Sequence, residues 1–191
     1  MILKKIKEQT QGNHTSLENS PFLRPISQKS LTLTQYITIL KKFYGFFYPL
    51  ELQLTRFPIE TYLADFGQRR KAGMLADDLQ HLQPHPASIL PMCYDLPEVH
   101  TLEQAFGCLY VMEGSTLGGK MIYKMVNDTL GLDHTNGISF FYGYGAETGP
   151  KWKAFQQALE AVSSRAPAKD EQLIEAANNT FNKLKKWFES E

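Results

Sequence analysis

The sequence is short of most features that would announce a metal cluster, a polyanion surface or a membrane segment. It has only two cysteines, Cys93 and Cys108, and they form no CxxC pair. Two isolated cysteines read as buried thiols, so neither a disulfide nor a metal site is expected from them. Charge of one sign is lacking as well, since Lys plus Arg and Asp plus Glu each total 20. With no overall field to draw the chain to polyanions, nucleic acid is not an expected partner. No apolar run is long enough for a membrane span or a signal peptide, so no membrane partner and a cytoplasmic location are the expectations. Walker, dinucleotide and GxSxG patterns are missing, which argues against a phosphate cradle and a serine nucleophile. Alternating strand patterns, internal repeats and low-complexity tracts are absent too.

What remains is a chain of 191 residues, 42% hydrophobic and 12% aromatic. That suits one packed domain over residues 1–191, with enough Phe and Tyr to line an apolar cavity. The periodicity is helical throughout and predicts an all-α, single-domain bundle. Leu3, Ile6, Thr10, His14 and Leu17 step by three or four, predicting a helix over about residues 2 to 19. Thr32 with Gln35 makes a capping-box pattern ahead of a long helix through Leu54, in which Pro49 predicts a bend between Gly45 and Pro49. A third helix is predicted over about Phe66 to Leu82, then a proline-punctuated connection from Pro84 to Pro97. From Thr101 to about Leu130 the pattern is helical but interrupted halfway by glycines. Gly137 to Gly149 reads as a loop, and two further helices follow, one marked by Trp152, Phe155, Leu159 and Val162 and one from about Asp170 to Phe188.

Two places carry chemistry. His14 sits on the apolar face of the first helix, where an imidazole either bonds within the core or reaches a ligand. Lys7 stands seven residues earlier, about 10 Å away on nearly the same side. That offset suits a flat metalloligand whose metal takes the imidazole and whose edge carboxylates meet an ammonium, although a solvated lysine has the same spacing. The second place is Glu113-Gly114-Ser115-Thr116-Leu117-Gly118-Gly119. Each glycine inside a helix costs about 1 kcal/mol relative to alanine. Close approach of a neighbouring helix or of a flat ligand would offset that cost. Asp78 and His81 form a carboxylate-x-x-His pair, but a di-iron bundle needs two copies and there is no second. His81, His85, His100 and His134 fall at loops and helix ends and are read as non-catalytic.

The run from Leu3 to Glu18 resembles the first helix of heme oxygenases, and the glycine segment with Leu109 to Met112 resembles their kinked distal helix. Phe140 to Gly149 followed by Trp152, together with Arg69-Arg70-Lys71 and Asp77-Asp78-Leu79, looks like the bacterial branch found beside phytochromes. The resemblance covers nearly the whole chain. It implies His14 as the proximal iron ligand, Gly114, Gly118 and Gly119 at the distal kink, and Lys7 and Lys153 as partners of the heme propionates. Gly114, Ser115 and Gly118 would form the catalytic face.

Gln11 departs from a second lysine of animal-type members, and Ser115 from an aspartate that organises distal water. The resemblance therefore places ordered water at backbone carbonyls near Gly114, with Ser115 beside it. It implies oxidative cleavage of heme to biliverdin, carbon monoxide and iron, with heme as substrate and cofactor. Electrons would come from an external reductant such as a ferredoxin or flavoprotein, and a bacteriophytochrome is a candidate recipient of the pigment. A non-enzymatic heme carrier on the same fold is the alternative. Thiamine-degrading and cofactor-cyclising enzymes share the architecture but need clustered site acids or a nucleophile that this sequence does not display.

Overall fold

The long helices form where the apolar spacing predicts them, and their ends are set by local chemistry. The computed structural model describes residues 1–83 and 90–190, and it is helical with no strand among them. Helix α1 spans Ile2–Glu18, a short α2 Arg24–Ser27, α3 Leu33–Leu54, α4 Gly73–Leu82, α5 Leu102–Leu130, α6 Ser139–Tyr142, α7 Thr148–Arg165 and α8 Asp170–Phe188. His85 and the first part of the Pro84–Pro97 connection lie outside the described residues; residues 90–100 are non-helical, as expected.

Capping boxes start both long central helices. Thr32 Oγ1 accepts from the Gln35 N–H while Gln35 Oε1 accepts from the Thr32 N–H at 2.9 Å, and Thr101 and Gln104 repeat the arrangement at the head of α5. α3 runs on through Pro49. A proline at that position leaves the carbonyl four residues earlier without its helical donor. Here that carbonyl belongs to Gly45, and the Cys93 N–H donates to it at 2.8 Å. Gly45 is also required sterically, because a Cβ there would lie 2.2 Å from the Pro91 carbonyl oxygen.

The core runs unbroken through the bundle, from Ile6 of α1 past Phe43, Phe46 and Phe47 of α3 and Phe106 of α5 to Phe155 of α7 and Phe181 of α8. α5 packs chiefly on α8. Gly107 allows this approach, since a Cβ on it would meet the Leu173 carbonyl oxygen at 2.2 Å. Cys93 and Cys108 are buried free thiols, in line with the sequence. Burial pushes the Cys108 thiol up to about 11, so it stays protonated and unreactive at neutral pH.

Three sequence expectations need correction. The helix expected from Phe66 begins only at Gly73; Phe66–Gln68 is a 3-10 turn and Arg69 is extended, with ψ 162°. The chain turns there because Arg69 and Arg70 point into the protein to meet polar groups of α5. α5 is not interrupted at its glycines, for it is helical from Leu102 to Leu130. Lastly, the segment Gly137–Gly149 is not a plain loop. It holds α6 and a 3-10 turn, with α6 capped by the buried Asp78 carboxylate, which accepts the Ser139 and Phe140 N–H groups at 2.8 and 2.9 Å. Asp78 is thereby committed to structure rather than to a metal.

Candidate functional site

α1 and α5 stand on opposite sides of a cavity of about 550 Å³, within the range of small-molecule sites. α7 and α8 close it with Trp152, Gln156, Phe181 and Leu184, and Phe43 and Phe141 form its inner end. From α1 it receives Leu3, Lys7, Gln11, His14, Leu17 and Glu18, residues three or four apart that share one face. From α5 it receives Gly114, Ser115, Leu117, Gly118, Met121 and Ile122, again at helical spacing. Leu117 and Met121 are 46% and 67% exposed, so their apolar side chains face open space instead of packing. Such a patch on a chain otherwise well packed marks a surface that a ligand covers.

The walls differ in chemistry. On α1 the His14 ring leans edge-on against Phe181, with centroids 5.6 Å apart, and its Nδ1 lies 3.3 Å from Glu18 Oε2. A carboxylate beside Nδ1 favours the proton on that nitrogen, which leaves Nε2 as the nitrogen with a lone pair for a metal. The ring is not sealed in the core, as its side chain is 46% exposed. The exposure opens onto the cavity, which His14 lines.

On α5 the opposing wall is largely bare backbone. A Cβ on Gly118 would meet nothing within 4 Å, and one on Gly114 would only touch the Trp152 ring at 3.7 Å. Gly119 faces elsewhere: a Cβ there would stand 2.9 Å from the Phe141 carbonyl oxygen. Its glycine serves the approach of α6, and the expectation that it contacts a ligand is corrected to that extent. Lys7 lines the cavity, and Gln11 is there too, its amide donating to Thr15 Oγ1 at 3.1 Å. Lys153 is exposed on α7 and is not part of the wall, which α7 supplies through Trp152 and Gln156.

Behind α5 lies a polar network that the sequence reading did not assign to the site. Arg69 Nη1 donates to Glu113 Oε2 at 2.6 Å, with both side chains almost closed to solvent. Arg69 also bonds Asp65 at 2.9 Å, and Tyr144 OH donates to Glu113 at 3.0 Å. Burial, reinforced by the Glu113 charge, raises the Tyr144 hydroxyl far above its ordinary value, so it acts as a neutral donor. Arg70 reaches Ser115 Oγ on the cavity wall. Its one signal in the sequence is the Arg69-Arg70-Lys71 run, which enters there only through the family resemblance. Glu18 was missed too, although its place four residues after His14 was legible.

Among the described residues no three His, Cys, Asp or Glu side chains gather as a metal cage. A metal already held in a macrocycle needs no such cage, only an axial nitrogen such as that of His14.

A heme oxygenase family model matches residues 1–190. The chain belongs to the heme oxygenase family. It is similar to a heme oxygenase of Xanthomonas campestris, 26% identical over 152 residues, covering 76% of this chain and 87% of that one. In fold it is similar to the heme oxygenase of Leptospira interrogans, with a TM-score of 0.79, 18% identity and 98% of each chain covered. A heme oxygenase of the cyanobacterium Synechocystis, solved in complex with heme, superposes with a TM-score of 0.80 at 18% identity, covering 98% of this chain and 90% of that one. The activity of a heme oxygenase, and so of this enzyme, is heme degradation. No helix among the described residues is long and apolar enough to cross a membrane.

Proposed function

We propose that this enzyme opens heme oxidatively to biliverdin, carbon monoxide and iron, with the whole chain acting as one heme-binding domain. Bound heme supplies both the iron at which dioxygen is reduced and the ring that is cleaved, so it is substrate and cofactor together. One observation carries the reading: a single imidazole and a bare stretch of helix backbone face each other across an apolar cavity.

His14 would hold the iron from the α1 side, with the Glu18 carboxylate 3.3 Å from its Nδ1. Gly114 and Gly118 leave a gap on the α5 side in which a small ligand fits and a side chain would not. Apolar walls from Leu117, Met121, Ile122 and Phe181 exclude bulk water from the ring faces. Lys7 pairs with a heme carboxylate, and Lys153, from its exposed place on α7, takes the other by extension of its long side chain. Ser115 and the backbone near Gly114 hold distal water.

Electrons come from an external ferredoxin or flavoprotein. The aromatic run Phe140 to Tyr144 with Trp152 favours the phytochrome-associated branch, in which a bacteriophytochrome receives the biliverdin, and a cytoplasmic location suits both partners. The test is aerobic incubation with hemin and a reductant, followed by chromatography of the pigment. Biliverdin is the expected product; hemin bound but unchanged would identify a carrier instead.

A further inference from the structure

A hydroxyl offers one proton and two lone pairs, and Ser115 has committed most of its share. Its Oγ donates to the Met112 carbonyl at 2.6 Å and accepts from Arg70 Nη2 at 2.5 Å. One lone pair remains, on a side chain that lines the cavity between Gly114 and Gly118.

Arg70 sets this arrangement. Its side chain is buried, with the guanidinium over the Phe140 ring at 4.0 Å from the centroid. Nη2 also donates to the Met112 carbonyl at 2.7 Å, and the Arg70 N–H donates to Tyr144 OH at 3.0 Å. Asp65 and Glu113 both pair with Arg69. Among the described residues no carboxylate pairs with Arg70, so this buried cation spends its donors on neutral oxygens, those of Met112 and Ser115 on α5 and the Phe140 carbonyl on α6. A buried cation with no carboxylate in direct contact is costly, which makes its retention behind a cavity wall informative. The planar fork of an arginine matters here, because one nitrogen must satisfy Met112 and Ser115 from a fixed angle.

We infer that Arg70 is a positioning residue that fixes Ser115 as a hydrogen-bond acceptor toward the cavity, so that the distal wall presents a lone pair and no side-chain proton. The inference rests on heme occupying the cavity. A distal water then donates one proton to Ser115 and keeps the other for the substrate side. Proton delivery runs through that water, since the serine's own proton is held by Met112.

Fluoride distinguishes acceptor from donor at this wall, because it accepts hydrogen bonds and donates none, whereas the water it displaces does both. Removing an acceptor favours fluoride, and removing a donor disfavours it. Titration of the ferric hemin complex, read by absorption, is expected to show Ser115→Ala binding fluoride on the order of two- to tenfold more tightly than wild type. In an Arg70→Lys background the charge stays but the fork is lost, and the same Ser115→Ala change is expected to lose its gain. Arg70→Gln serves in the same cycle should Arg70→Lys fail to fold. Weaker fluoride binding in Ser115→Ala, or an equal gain in both backgrounds, overturns the inference. A wild-type chain that takes up no hemin sinks the functional reading itself, whereas normal uptake with the wrong fluoride response sinks this inference alone.

Discussion

Gly118 and Gly119 are neighbours in the chain, yet a Cβ on the first would stand in open space while one on the second would press on the Phe141 carbonyl oxygen at 2.9 Å. The two glycines therefore answer to different demands. Gly118→Ala should stabilise the ligand-free protein, by up to about 1 kcal/mol of helix propensity. Gly118→Leu should weaken hemin binding by filling the space. Gly119→Ala should destabilise the fold by about 1–3 kcal/mol through overpacking. Urea unfolding and hemin titration of the three variants check the assignment.

Arg69 and Glu113 form the most closed ion pair of the described residues, their side chains 1% and 6% exposed. Removing Arg69 strands the Glu113 carboxylate, whereas Arg69 keeps Asp65 when Glu113 is removed. Arg69→Ala should cost about 3–5 kcal/mol, while a double change of Arg69 and Glu113 to apolar residues of similar volume should cost much less. Denaturant unfolding of the single and double variants separates these outcomes.

The fold was legible wherever a helix carries its own instructions. Asp170–Phe188 was read with its observed bounds because one face carries Leu173, Ala177, Phe181, Leu184 and Phe188, with acids in the first turn and lysines in the last. Ends set by distant partners were not legible. The helix after Phe66 starts late because Arg69 and Arg70 turn inward, and a run of basic residues reads as surface until Glu113 and the Met112 carbonyl are seen beside it. The continuity of α3 past Pro49 depends likewise on Cys93, far away in sequence. At the site, spacing and resemblance single out His14, Lys7, Gly114 and Gly118, and all four line the cavity. Gly119 was misread because adjacent glycines look alike until the α6 backbone is placed against one of them.

Stability should depend on pH through Glu51. Burial pushes its carboxyl up to about 7, against the Ala72 N–H bond that favours the ionised form. The folded protein thus holds a proton that the unfolded chain releases near its ordinary value of 4.5. Stability from this group is complete below that value and is lost as pH rises through about 7. Asp65 works in the opposite sense: burial disfavours its charge, but hydrogen bonds from Lys151 and Arg69 prevail and hold its carboxyl below the usual range, so its contribution is lost only in acid. Urea midpoints between about pH 5 and about pH 8 should fall for the wild type and flatten in Glu51→Gln. An unchanged slope in the variant would exclude Glu51 as the source.

Lys7 and Lys153 should differ in weight. Lys7 lines the cavity and Lys153 does not, so Lys7→Ala should weaken hemin binding the more of the two, with a loss that shrinks at high salt. Equal losses from both would mean that the α7 lysine closes over the ligand.

The central claim is that His14 supplies the axial ligand to heme iron. Hemin titration of the wild type and His14→Ala, followed by the Soret absorption with and without added imidazole, tests it most directly. The account predicts that the variant loses the histidine-ligated spectrum and turnover and that free imidazole restores the spectrum. A variant with the wild-type spectrum and rate would contradict it.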